Sequence, residues 1–480
     1  MKKTICFLIA LLMLLTACAP ESSETTAPSE TVPPKETFLP TETMEVTEPE
    51  DNPFVNYTYR YTDDRDRAWE EDVVYLARIA LGLTPYNGHP LLIKEEAQVW
   101  KMDNFVDFQC FYREDLRNDF ITGMEQLILD IPALSDIEIL YEMERVVAQL
   151  SDLHSYVYLP PSEIFVIMTE PFYSEEGMQL RVVRLPAEYK DALYGQLISI
   201  NGIPIDEVLE RVGQYISHEW EYGKMYYMTN MIPTGMIIRK EALQIAGIVG
   251  EEDTSAEFGI LTEEGTQILA EIPVVDGSGY KETEKVMGDW YSSDRFSYDR
   301  YMDINYFFRY EKENEMMYIR FNREAEVTDY RYRDFFAEIK DELAEGTCEK
   351  IVVDLRFNGG GYTTPLANLI GILTQAEVPQ VYILIDPASY SGAVTLAVEL
   401  RQKVPNSLIV GTPAGQSPNF FAGRNYTLPN SGNIFLISSV CYSYWPDYTY
   451  ETLMPDIIVY QTLDDYKNGI DTVLEYVKRL

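Results

Sequence analysis

The sequence predicts an α+β chain of several domains that closes in an α/β core on a largely parallel sheet. Three observations carry this. Apolar residues recur at helical spacing in stretches between Asp66 and Leu150. The pattern from Pro171 to about Val275 is mostly of strand type. Beyond Met317, strand and helix patterns alternate, and strand–helix–strand succession implies parallel strands. The length of 480 residues leaves room for several cores. The formal charge of −40 offers no basic face to phosphates, so a nucleic-acid partner is excluded.

The chain opens with a targeting signal. Lys2 and Lys3 precede an apolar run from Ile5 to Leu15, too short to span a bilayer comfortably. Leu15-Thr16-Ala17-Cys18 follows and resembles the lipobox of bacterial lipoproteins. That resemblance implies cleavage before Cys18, lipidation of its thiol, and residence at the extracytoplasmic face of the cell membrane. Contact with the membrane is then through the lipid alone. Residues 19–52 are Ser, Thr, Pro and Glu with almost nothing to bury, which predicts a disordered tether. At about 3.1 Å per residue such a tether reaches on the order of 100 Å. Cys110, Cys348 and Cys441 are far apart and show no disulfide or zinc pattern, which predicts free thiols.

Helical patterns follow. Val73, Val74, Leu76, Ala77, Ala80 and Leu81 form one stripe. Leu116 to Leu129 is a second helix. Ser135 with Glu138 is a capping box that opens a third, whose apolar face is Ile139, Met143, Val146, Val147 and Leu150. His154 then stands at a corner before the strand Ser155 to Leu159. Of the other two histidines, His89 precedes a proline and His218 sits in an acidic stretch. Gly195 to Ile205 reads as strand, Asn-Gly turn, strand, and Asp206 caps a helix through Val208, Leu209 and Val212. This stretch looks like part of a PDZ-type peptide-binding module. Phe258 to Val275 reads as a hairpin about Glu264-Gly265.

The core begins with the strand Met317 to Phe321 and a helix from Tyr332 to Glu345. A buried strand from Lys350 runs into Gly359, Gly360 and Gly361, and a helix over 366–373 follows. Val381 to Ile385 is the next strand. Asp386-Pro387 ends it, Ser389 and Ser391 follow, and Ala393, Leu396, Ala397 and Leu400 mark a helix stopped by Pro405. Ser407 to Gly411 is a further strand. A serine between strand and helix admits two readings. It is a helix cap, or it is a nucleophile whose neighbouring N–H groups hold an oxyanion. In parallel sheets ligands bind at the carboxyl ends of strands, where both the glycine loop and the serine fall.

These residues resemble the S41 family of tail-specific and tricorn-type serine peptidases. VVDLRFNGGG is similar to its DLRxNxGG segment, LSDLHSYV to the DGHT corner of the tricorn-like branch, and GQLISINGIPIDEV to its PDZ-like segment. SYSGAVTLA resembles the nucleophile segment, VGTPAG the VGExTxG segment, and LMPDIIV the closing GVxPDIxV. In shared order they span most of residues 64–460. The chain departs from the family at Val394, where that segment has a glutamate, and at Leu153, where tricorn has a serine. No lysine occurs in residues 412–417, and Lys403 on the preceding helix is misplaced for a base. An imidazole, ionising near 6.5, suits the role.

The resemblance implies a ClpP- or crotonase-like core. It also implies Ser391 as nucleophile, His154 as base and Glu451 as orienting acid, with Asp447 the fallback. Gly392 with Gly359 or Gly360 would form the oxyanion hole, and Asp354 and Arg356 would be structural. The expected domains are a signal peptide over 1–17, a tether over 18–52, a helical domain over 53–165, a PDZ-like and β-rich region over 166–290, and the catalytic core over 291–480. The expected function is an exported, lipid-anchored serine peptidase acting on peptides or protein segments, without cofactor or metal. Two rivals stand beside it: an inactive peptide-binding lipoprotein of the same fold, and a crotonase-like acyl-CoA enzyme, which export to a compartment without CoA argues against.

Overall fold

The computed structural model describes residues 52–83, 99–101, 116–160, 162–174, 177–229, 235–277, 279–289, 304–345, 348–376 and 380–480. The expectations for the signal peptide, Cys18, the tether up to Asp51, His89 and Cys110 lie outside these residues.

The helical region holds α1 (Asp64–Ala80), α2 (Leu116–Asp130) and α3 (Asp136–Ala148). The Asp63 side chain caps α1 by accepting from the N–H groups of Arg65 and Asp66. The predicted stripe of α1 is buried from Val73 to Ala80. The capping box of α3 forms as its sequence requires: Ser135 N–H donates to Glu138, and Glu138 N–H to the Ser135 hydroxyl. These helices share one apolar core with Phe421, Leu428, Phe435, Ile437 and Cys441. The N-terminal region therefore closes on residues that lie far along the chain.

The middle region is an antiparallel sheet of eight strands. Its longer strands are β1 (Met168–Ser174), β2 (Gly177–Pro186), β3 (Gln196–Ile200), β4 (Ser255–Leu261) and β5 (Gln267–Val275). The Asn201-Gly202 turn has positive φ at both residues, 47° and 74°, which an Asn-Gly pair tolerates. Helices α4 (Ile205–Gly213) and α5 (Glu221–Thr229) lie between β3 and β4; α4 starts after Pro204, so Asp206 stands in its first turn and does not cap it. The segment joining them passes the corner that carries His154.

The last region is built on β6 (Tyr306–Glu311), β7 (Met316–Phe321), α6 (Tyr332–Glu345), β8 (Lys350–Asp354), α7 (Ala367–Gln375), β9 (Gln380–Ile385), α8 (Gly392–Lys403) and β10 (Ser407–Gly411). A hairpin of β11 (Asn419–Thr427) and β12 (Ile434–Ser443) follows, then β13 (Ile457–Ile458) and α9 (Thr472–Arg479). The sheet order is β6-β7-β8-β9-β10-β13; the first pair is antiparallel and the rest parallel. Helices α6, α7 and α8 cover one face, and α9 lies on the other. Both faces are covered, so β8 and β9 read as continuous apolar runs. The whole is a multidomain α+β architecture, with the glycine loop after β8 and the serine after β9 adjacent at the carboxyl edge.

Candidate active site

Ser391 joins β9 to α8 with φ 52° and ψ −115°, a conformation costly for a residue with a side chain. Its side chain makes no capping hydrogen bond. The hydroxyl instead lies 3.2 Å from Nε2 of His154, a residue 237 positions away. Ser389 is different. It is fully buried, its hydroxyl donates to the Leu355 carbonyl at 2.8 Å, and it accepts from the Asp386 N–H at 3.0 Å. Ser389 fastens the turn; Ser391 faces the imidazole.

The elbow is held from below. The Tyr390 N–H donates to the Asn358 carbonyl at 3.0 Å, which ties the serine turn to the glycine loop. Gly360 has φ +99°, and a Cβ there would stand 2.5 Å from the Gly392 nitrogen and 2.7 Å from the Ser391 Cβ. Only glycine fits that approach. Gly360 is not an oxyanion donor, however, because its N–H donates to Asn358 Oδ1 at 2.8 Å. Asn358 also donates to the Phe321 carbonyl at 3.0 Å and to Glu324 at 2.8 Å. Among the described residues, the Gly392 and Gly359 N–H groups have no protein acceptor. The Gly392 N–H opens the twelve-residue α8, where the helix dipole favours negative charge.

The histidine corner is assembled by packing. The strand 156–157 pairs with β12, Val157 against Phe435. A Cβ on Gly423 of β11 would lie 2.6 Å from the His154 carbonyl, so glycine lets the hairpin close on the corner. Asp152 is fully buried and accepts from the His154 N–H and from the hydroxyls of Ser155 and Ser438. Burial pushes the His154 pKa below its ordinary value, and Asp152 offsets part of this. Burial thereby favours the neutral ring, the form that can accept a proton. It also stacks on Phe420, with ring centroids 5.9 Å apart.

The other face of the imidazole meets groups other than the expected acid. Glu451 is half-buried, and none of the hydrogen bonds to the ring comes from it or from Asp447. Nδ1 lies 2.9 Å from the Tyr390 hydroxyl, which lies 3.1 Å from Glu219 Oε1. Gln416, fully buried, completes the cluster: its Oε1 accepts the Ser391 N–H at 2.6 Å and its Nε2 donates to Glu219 at 3.2 Å. Glu219 is pushed up to about 8, chiefly by burial and then by the charge of Asp152. It arrives with the segment between α4 and α5. Ser217 donates to the Ser155 carbonyl at 2.6 Å, and Glu144 bridges the Val157 N–H and the Ser217 hydroxyl. A Cβ on Gly223 would press on Gly415, so α5 lies directly against the loop that carries Gln416.

Sequence reasoning missed Glu219, Gln416 and Tyr390. Only Tyr390 had a local signal, its place beside the serine. The stretch Ser217-His218-Glu219-Trp220 marks no position as special. His218 itself is turned away, 2.8 Å from the Ile216 carbonyl. Lys403 pairs with Glu399 on α8 and is committed away from the serine. Val394 packs in the sheet core, where a glutamate would need a partner. Polar atoms of Asp152, His154 and Glu219 lie within 4.8 Å of one another, the spacing of a small metal site. The hydrogen bonds already on each carboxylate and on both ring nitrogens commit this group to its neighbours.

Asp354 and Arg356 lie under the glycine loop. Arg356 forks onto Asp354 and Asp471, and Arg320 pairs with Asp354 at 2.8 Å. Both carboxylates are fully buried and directly paired. Cys348 and Cys441 are free thiols, as expected.

No family model and no curated sequence matches the chain. Solved structures do. The chain is similar to mature CPAF at 13% identity and a TM-score of 0.50, over 87% of this chain and 97% of that one. It is similar to mature CPAF complexed with lactacystin at 12% identity and a TM-score of 0.52, over 87% and 98%. A mutant of CPAF gives 11% and 0.53, over 87% and 97%. At these identities the likeness concerns the fold alone.

Proposed function

We propose that this chain is a serine peptidase of the S41 kind, exported and held to the membrane by lipid on Cys18. The observation that carries the reading is the 3.2 Å approach of Ser391 Oγ to His154 Nε2 at a strained strand-to-helix turn. Ser391 attacks the scissile carbonyl while Nε2 takes the hydroxyl proton. The oxyanion is held by the N–H groups of Gly392 and Gly359. The imidazolium then gives its proton to the leaving amine, and water repeats the sequence on the acyl-enzyme. Glu219 replaces Glu451 as the carboxylate of the site. A peptide or protein segment is the substrate class, supported by the PDZ-like stretch before α4 and by the fold likeness.

The test is a fluorophosphonate, which reports both the nucleophile and the oxyanion donors. Adduct on wild type and on Ser389→Ala, and none on Ser391→Ala, supports the assignment; the reverse pattern sinks it. For the anchor, Cys18→Ser should leave the precursor unprocessed or release it. Wild type found wholly in the medium without acyl groups would refute the lipid.

A further inference from the structure

We infer that Tyr390 is a directional hydrogen-bond relay through which ionisation of Glu219 selects the tautomer of His154, and so switches the nucleophile on. The inference rests on the reading of Ser391 and His154 as a catalytic pair and deepens it. The atoms stand in one line: Ser391 Oγ to His154 Nε2 at 3.2 Å, Nδ1 to Tyr390 Oη at 2.9 Å, and Oη to Glu219 Oε1 at 3.1 Å. A phenol has one hydrogen, and a neutral imidazole carries one N–H. The Tyr390 hydrogen can point to Nδ1 or to Glu219, not to both.

Two arrangements of protons satisfy the ring, the phenol and the carboxylate, and the Gln416 Nε2 donor, 3.4 Å from Nδ1, favours the one with Nδ1 bare. With Glu219 ionised, Tyr390 donates to the carboxylate and accepts Nδ1–H. Nε2 is then bare and accepts the Ser391 hydroxyl hydrogen, the arrangement that permits attack. With Glu219 protonated, its O–H donates to Tyr390, Tyr390 donates to Nδ1, and the ring proton sits on Nε2. That ring donates to Ser391 and cannot take its proton. The two states differ by the single proton that Glu219 releases to solvent.

The surroundings fit a group that titrates near neutrality. Buried Asp152 adds negative charge and, with burial, pushes Glu219 up to about 8. The Gln416 amide and the Ser417 N–H favour the carboxylate. Gln416 cannot turn over, because its oxygen holds the Ser391 N–H. Tyr227 and Cys441 also face the cluster, and burial keeps Cys441 protonated. No Lys or Arg is among the groups that shift Glu219.

The chain has three histidines, so imidazole nitrogen NMR on histidine-labelled protein can be assigned with His154→Ala. In wild type the protonated nitrogen of His154 should move from Nε2 to Nδ1 as pH rises through about 8. Tyr390→Phe should abolish that exchange and leave the fold intact, and Glu219→Gln should hold one tautomer at every pH. The fluorophosphonate rate should rise with the same midpoint in wild type only. A single wild-type tautomer throughout, or an exchange that persists in Tyr390→Phe, overturns the relay. Tautomer exchange without any serine adduct would leave the relay standing and defeat the peptidase reading instead.

Discussion

Two buried polar clusters lie near the carboxyl edge of the same sheet, and they are built on opposite principles. Under the glycine loop, Asp354 and Asp471 meet Arg356 and Arg320 in direct ion pairs, with Tyr318 donating to Asp354 at 2.7 Å. Positive and negative charges match, and the Asp354 carboxyl is held well below its usual range by both arginines despite its burial. Beside the serine, Asp152 and Glu219 accept from hydroxyls and amides, and among the described residues no arginine or lysine donates to either. There Glu219 is pushed up and His154 down. In the balanced cluster each carboxylate is held in a direct ion pair. The unbalanced one can exchange protons at physiological pH, which is what acid–base chemistry requires.

Breaking each cluster should therefore give a different phenotype. His154→Ala should lower the fluorophosphonate rate by roughly 10²–10⁴-fold with the thermal midpoint little changed. A large loss of stability there would merge the two clusters in kind. Asp354→Ala takes the carboxylate from buried Arg320 and leaves Arg356 with Asp471 alone, and should cost about 3–5 kcal/mol in denaturant unfolding. The protein that remains folded should still label on Ser391. Gly360→Ala forces a Cβ into the serine elbow at positive φ, and should cost about 1–3 kcal/mol and slow labelling.

The smallest effect concerns Glu144, which joins the histidine corner to the Glu219 segment. Burial pushes it up to about 8, above its value in an unfolded chain. A raised carboxyl contributes stability that is full below the unfolded pKa, near 4.3, and is lost as pH rises through the folded one. Glu144→Gln should therefore raise stability at pH 9 by on the order of 1 kcal/mol and give no gain at pH 4. Asp354 has the opposite sign: its stabilisation is present above the unfolded value, near 3.9, and is lost as pH falls through the folded one. Equal pH slopes in Glu144→Gln and wild type would refute the assignment to Glu144.

What the sequence revealed follows the same divide. The strand, glycine loop and serine elbow are local events: apolar runs, glycines and a proline stop mark them within a few residues. His154 was found because a helix-to-strand corner isolates it. Its partners come from segments that meet only in the folded chain. Glu219 reaches the ring through α5 packing on Gly415, and Gln416 through a loop whose residues resemble any turn. Motif spacing points to Glu451, and spacing alone carries no signal that the segment before α5 brings Glu219 to the Tyr390 hydroxyl. The helical core is a similar case. Its patterns are local, but its closure on Phe421 and Phe435 is a long-range fact.

The central claim is that Ser391 and His154 form a working couple. Its most direct test is mass mapping of the fluorophosphonate adduct on folded wild-type protein, with the labelling rate followed against pH. One adduct is expected, on the peptide containing Ser391, at a rate that rises with pH and collapses in His154→Ala. No adduct on folded protein, or an adduct on Ser391 at a rate unchanged in His154→Ala, would contradict it.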